Sequence, residues 1–213
     1  MTIALATKNL GKLQEFRYLF QQFLPHIHDI QLAGLSEFSA MEPITEDGTT
    51  FHQNARKKAL LTADHTGLLT LADDSGLEVD ALNGAPGIYS ARYAGEHATD
   101  EDNMRKLLDE LKDKPHDERS AQFVCVIAVA LPGDVIGLFE GETRGVIGFE
   151  PAGTNGFGYD PLFIRLDYGK TFAELPLDVK NRISHRARAF EKAAAVIERY
   201  IERLRVQDTH GGR

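Results

Sequence analysis

Of the 213 residues only Cys125 is a cysteine, so no disulfide can close within the chain. Set in the apolar run FVCVIAVAL, that thiol reads as a small buried hydrophobe, and a reducing, cytoplasmic setting is the expectation. Positive charge is also in deficit: 24 Lys and Arg face 32 Asp and Glu, a net charge of −8. That balance argues against nonspecific binding to nucleic acid or to an anionic membrane, where affinity comes from basic patches. Long hydrophobic runs are missing too, since the nine residues of FVCVIAVAL fall far short of the roughly 20 needed to cross a bilayer. The opening MTIALATKNLGK has too brief an apolar stretch for a secretory signal. No repeat, low-complexity linker or composition break divides the chain, and 42% hydrophobic content suffices for a proper core. The expectation is a single α/β domain over residues 1–206, or one with a smaller lobe that is not independent, followed by a frayed tail at 207–213.

What is present has a regular order. TIALAT reads as a strand, and Leu13, Phe16, Leu19, Phe20 and Phe23 then follow helical spacing up to Pro25. Residues 27–32 suit a second strand. Thr50-Phe51-His52-Gln53 has the capping-box pattern, with Phe51, Ala55, Ala59 and Ala63 at steps of four and Gly67 as the stop. A buried strand is expected over residues 68–72, and a helix over 99–111 with Asp100 among its possible caps. Residues 121–131 and 135–140, joined by Pro132-Gly133-Asp134, read as a hairpin, with a further strand at 145–149. A glycine-bearing loop at 150–160 leads to a short strand at 162–164. From Ile183 through Ala187, Phe190, Ala194, Ile197, Ile201 and Leu204, steps of four and three mark one continuous helix.

Charged residues interrupt this pattern in two ways. In LADDSGLEV two adjacent acids, Asp73 and Asp74, end an apolar run before the turn formers Ser75 and Gly76. Side chains adjacent on an extended segment face opposite ways, so one carboxyl can hold structure while the other meets a ligand. Cations, meanwhile, gather where a helix N-terminus disfavours them: Lys180, Arg182, His185, Arg186 and Arg188 surround the start of the last helix. Thr7-Lys8-Asn9-Leu10-Gly11-Lys12 repeats the arrangement between strand and helix, the physics of an anion cradle without the full phosphate-loop signature. Asn54 and Lys58 share one face of the middle helix, where a surface lysine is the simpler reading. With the acidic loops 45–48 and 73–76 and the flexible loop 156–160, these cations suggest a metal-bound polyphosphate. Mg²⁺ is the natural ion, since it bridges one or two carboxylates to substrate phosphates.

TKNLGK at 7–12, FHQNARKKA at 51–59, LADDSGLEVDALNGAPGIYSARYAG at 71–95, GFGYDPLF at 156–163 and ISHRARA at 183–189 resemble, in order, the inosine triphosphate or dITP/XTP pyrophosphatases. The resemblance implies hydrolysis of ITP, dITP or XTP to the nucleoside monophosphate and pyrophosphate, with Mg²⁺, in a homodimer. It implies an elongated two-lobed α/β fold whose long mixed β-sheet is flanked by helices, with the active-site cleft between the lobes. By position Asp74 resembles the general base and metal-associated carboxylate, and Ser75 its substrate-contacting neighbour. Thr7, Lys8, Asn9, Leu10, Gly11, Lys12, Lys58 and Lys180 resemble the triphosphate contacts, while Phe157, Gly158, Tyr159, Asp160, His185 and Arg186 resemble the nucleoside contacts. Two places depart from the family pattern. Lys8 stands where a glycine is frequent, and Thr45 where the first of two glutamates is frequent, which makes Glu46 the expected second metal ligand and Asp47 the reserve.

Chemically, breaking a phosphoanhydride needs neutralised charge and an oriented water. The cations and Mg²⁺ would supply the first, Asp74 the second, with Asp73 fixing the chain from the opposite side. The 6-keto group of hypoxanthine or xanthine suits Arg186, which has only donors to offer. His26 and His28 read as exposed, Glu96 and His97 as solvated, and Tyr89, Arg92 and Tyr93 as lining a dimer contact, the cleft or merely a turn. A pyrophosphatase for ordinary nucleotides and a nucleotide-binding regulatory module without turnover are the alternatives.

Overall fold

The computed structural model describes residues 1–38 and 41–210. Its centre is a mixed seven-stranded sheet in the order β2-β1-β3-β4-β5-β6-β7. The strands are β1 Thr2–Leu5, β2 Gln31–Gly34, β3 Thr70–Val79, β4 Ser120–Leu131, β5 Asp134–Ile147, β6 Phe163–Arg165 and β7 Lys170–Thr171. β1 lies parallel to β2 and β3, and every later pairing is antiparallel. Helices α1 Leu10–Phe23, α2 Phe51–Thr66, α3 Asp100–Glu110, α4 Leu177–Ile183 and α5 His185–His210 cover it.

Period-two alternation along β3 and β4 divides the core. One face sends Leu71, Cys125, Ile127 and Val129 against α1 and α5, where Phe190 meets the rings of Phe16, Phe20 and Phe23. The other sends Ala72, Val126, Ala128 and Ala130 against the alanines of α2. Further along, Leu77, Val79, Ala121 and Phe123 join α3, Leu162, Phe163 and Phe172 in a separate cluster. This gives the two lobes, with β3 and β4 threading both. Asp73 to Gly76 sit on β3 where one core hands over to the next.

Several expectations shift. The second strand is 31–34 rather than 27–32, because Ile27 closes a turn onto Leu24 and fills the core singly. Asp73-Asp74-Ser75-Gly76 form no loop: they pair in register with Val124 to Ile127, and β3 runs on to Val79. The strands expected at 135–140 and 145–149 are one, since β5 continues through Gly141-Glu142-Thr143-Arg144 with glycine and threonine inward and charges outward. Thr99, not Asp100, caps α3. The last helix is broken at Ser184, whose extended backbone ends α4 and whose Oγ accepts from Ala187 N at 3.2 Å to start α5. α5 reaches His210, so the tail expected to fray from 207 is helical that far, and 211–213 lie outside the described residues. Gly141 lets α5 rest on β5: a Cβ there would lie 2.3 Å from Ala189 N and His185 O.

Candidate active site

Because β3 is extended, Asp73 and Asp74 do face opposite ways, and they meet opposite treatment. Asp73 turns toward α1 and α5, where its Oδ2 receives Lys12 Nζ at 2.9 Å, Arg186 Nη2 at 2.8 Å and Ser75 Oγ at 3.1 Å. Burial alone would raise its pKa, but Lys12 and Arg186 outweigh burial and hold it far below the usual carboxylate range. Asp74 turns toward α2. Its Oδ1 accepts from Lys58 Nζ at 3.0 Å and its Oδ2 from Asn54 Nδ2 at 3.1 Å. Burial pushes this carboxyl above its ordinary value, with Lys58 opposing the rise and Glu46 adding to it. Neighbouring groups driven apart in this way are the pattern by which acid and base roles are divided in a site.

Lys58 is not the surface lysine of the simpler reading. It is buried, and the same ammonium that meets Asp74 also reaches Glu46 Oε1 at 2.9 Å. Asn54 completes this side by accepting Gly48 N at 2.8 Å, which fastens the 45–48 loop to Asp74. Of the two loop acids, Glu46 faces Lys58 and Asp74, while Asp47 points outward to Lys57 at 2.6 Å.

On the other side of β3 the cations of three helices converge. Lys180 from α4 meets Asp160 and, at 2.8 Å, Glu15 Oε1; Arg186 from α5 meets Glu15 and Asp73. Glu15 is buried in α1, and although burial favours its neutral form, Arg186 and Lys180 keep its pKa lowered. Glu15 and Asp73 thus supply the negative charge that the N-terminus of α5 would otherwise lack beside Arg186. Arg182 and Arg188 from the same sequence cluster turn outward, to Asp178 and to the Glu142 carbonyl.

Between these groups lies a cavity of about 130 Å³ lined by Asn9, Lys12, Ser75, Gly158, Tyr159, Asp160, Lys180, His185 and Arg186, with the rings of Phe123 and Phe157. It is smaller than the ~300–1,000 Å³ of a whole drug-sized site, so it suits one flat part of a ligand. His185 stacks on Phe123 with ring centroids 4.7 Å apart, and burial, with Arg186 and Lys180 adding, drives its pKa well below the ordinary value. Phe157 lies over Lys180 Nζ at 4.9 Å and against Gly11, where a Cβ would come within 2.8 Å of the ring. Larger hollows, such as one of about 480 Å³ between α1 and β2, hold none of these buried charges.

Thr7, Lys8 and Leu10 stay outside the cavity. Thr7 Oγ1 accepts Asn9 N at 3.1 Å and Asn9 Oδ1 accepts Lys12 N at 3.0 Å, which shapes the turn, while Lys8 and Leu10 are exposed. His26 is exposed as expected and pairs with Glu198 at 2.6 Å. Sequence reasoning missed Glu15, whose only local mark is an acid three residues after Lys12 on a buried helix face, and the bridging role of Asn54.

Residues 3–196 match the model of the Ham1 family. The chain belongs to the Ham1 family. It is 52% identical to a dITP/XTP pyrophosphatase of Geobacter sulfurreducens, over 88% of this chain and 92% of the relative. With the dITP/XTP pyrophosphatase of Desulforamulus reducens it shares 50% identity over 93% and 96% of the two chains. Among solved structures, a HAM1 protein from Coxiella burnetii superposes with a TM-score of 0.81 at 42% identity, covering 93% of this chain and 99% of the other. The Mycobacterium abscessus nucleoside-triphosphatase, also called a dITP/XTP pyrophosphatase, gives 0.70 at 41% identity, covering 89% and 95%. The curled seven-stranded mixed sheet seen here is thus an architecture shared with a solved HAM1 structure.

Proposed function

We propose that this Ham1 chain hydrolyses XTP, dITP and ITP at the α–β phosphoanhydride, releasing the nucleoside monophosphate and pyrophosphate. One observation carries the reading: the adjacent Asp73 and Asp74 of β3 face opposite ways, Asp73 toward the cations beside a small aromatic-lined cavity and Asp74 toward buried Lys58 and the acid of the 45–48 loop. The names of the relatives support the substrate class.

In this reading a purine enters the cavity beside Phe157, and the phosphates run past the 7–12 turn toward Lys58. Asp74, its pKa raised but its carboxylate held by Lys58 and Asn54, takes the proton of the attacking water. The anhydride bond breaks and pyrophosphate leaves against Lys12 and Lys58. Arg186 already spends Nε, Nη1 and both Nη2 hydrogens on Asp73, Glu15 and Ser75, so it keeps one N–H; Lys180 also keeps one after Glu15 and Asp160. Those few donors favour a 6-keto acceptor over the amino group of adenine, which would leave donors facing donors.

Asp74 and Glu46 would hold Mg²⁺, which when bound neutralises phosphate charge. The fit lies in the donor set: the Asp74 and Glu46 carboxylates meet at one ammonium, that of Lys58, and so face a common point. Mg²⁺ uses such sparse sites together with substrate oxygens. A homodimer in the cytoplasm completes the proposal. A single buried cysteine, Cys125, accords with a reducing setting.

Steady-state pyrophosphate release from XTP, dITP, ITP, GTP and ATP, with and without Mg²⁺, tests the reading. Equal turnover of ATP, or full activity in excess chelator, would reject it.

A further inference from the structure

The loop 156–160 that borders the cavity is tied to α3 by one side chain. Asp100, the first residue of α3, accepts Gly158 N at 2.7 Å through Oδ2 and itself borders the cavity. Gly158 has φ +61, a left-handed conformation that leaves its N–H turned toward α3. The far end of the loop is tied separately, where Tyr159 donates its hydroxyl to the Ser90 carbonyl at 2.9 Å and Asp160 Oδ2 accepts Phe157 N at 2.9 Å. α3 is in turn fixed to the 3₁₀ turn at 87–92 by buried Asn103, which accepts Ala94 N at 2.8 Å and donates to the Ala91 carbonyl at 3.3 Å. The Asp100 bond thus spans two units that are each anchored elsewhere. The bond falls one residue from Phe157, whose ring packs against Gly11, Lys180 and Arg186.

We propose that Asp100 is a positioning residue for purine binding, acting through Gly158 to hold Phe157 over the base. This rests on the proposed hydrolysis of purine nucleoside triphosphates. Asp100 borders the cavity, whereas Asp74 meets Asn54 and Lys58 on the other side of β3, so the role of Asp100 is in binding the base and not in the chemical step. Its neutral analogue still offers an oxygen acceptor, whereas alanine offers none.

The experiment compares wild type, Asp100→Ala and Asp100→Asn, first for hydrolysis of XTP and dITP and then, without substrate, for amide hydrogen exchange over residues 157–159. Asp100→Ala is expected to raise KM about tenfold, the loss of one charge-assisted bond, with kcat changed far less, and to speed exchange at Gly158. Asp100→Asn should restore both to near the wild-type values. Unchanged KM and exchange in Asp100→Ala would overturn the proposal. So would an asparagine variant as impaired as the alanine one, or a fall in thermal midpoint with KM unmoved, which would mark only a stabilising negative charge in the first turn of α3. A wild-type protein inactive on every purine triphosphate would reject the functional reading, while the exchange comparison would still decide whether Asp100 holds the loop.

Discussion

The ammonium of Lys58 lies 3.0 Å from Asp74 Oδ1, both groups buried, on elements that the chain brings together across the α2–β3 turn. Burial raises the Asp74 carboxyl, and Lys58 restrains the rise without ending it. A base tuned upward in this way gains proton affinity.

Asp74→Asn keeps the shape and the hydrogen-bonding oxygen but removes the proton acceptor. Turnover is expected to fall by about 10²- to 10⁴-fold, with KM changed by much less. Single-turnover and steady-state kinetics on XTP decide it, and near-normal kcat would remove Asp74 from the role of base.

The acid limb of kcat/KM should report the same group. Activity needs the ionised carboxylate, so a raised pKa places the limb above the ordinary carboxylate value of about 3.9. Lys58 lowers that pKa, so Lys58→Met should move the limb to higher pH as well as slow the reaction. A limb that stays in place would separate Lys58 from the ionisation of Asp74.

Asp73 has the opposite linkage. Its folded pKa is depressed, so its contribution to stability is present above the unfolded value of about 3.9 and is lost as pH falls below it. Asp73→Asn would leave Lys12 and Arg186 short of a buried partner, at a cost of about 3–5 kcal/mol at pH 7. Urea unfolding from pH 7 to pH 3 should show wild type losing stability over a range where the variant is flatter.

Asn54→Ala would remove the amide link between the 45–48 loop and Asp74, since both of its contacts go at once and only the Lys58 bridge remains. If Glu46 and Asp74 hold Mg²⁺, the concentration giving half-maximal rate should rise by about 10- to 100-fold, the usual effect of losing an orienting partner. A Mg²⁺ titration of activity measures this, and an unchanged midpoint would mean the loop needs no such anchor.

Gly141→Ala tests how the sheet sets the cavity. The new methyl would strike the backbone of His185 and Ala189, which cannot rotate away as a flexible side chain would. A loss of about 1–3 kcal/mol is expected, together with a higher KM as His185 and Arg186 shift with α5. Thermal melts and kinetics on the same preparation check both parts.

The sequence by itself determined the features that depend on nearby residues. Thr50 and Gly67 bracket α2 because a cap and a left-handed stop act within one turn, and the glycine-marked turn joins β4 to β5 for the same reason. The opposed directions of Asp73 and Asp74 follow from extended geometry alone, and the ordered motifs carried the family. Only the tertiary structure decided what each charge meets. Arg186 finds Asp73 across 113 positions and Glu15 across 171, and no local pattern encodes a pairing of that span. The break at Ser184, which parts Lys180 from Arg186, was hidden under an apolar stripe that runs through it unchanged. Periodicity records which face is buried, but whether a lysine at that border ends in water or against a carboxylate depends on which elements the sheet stacks there.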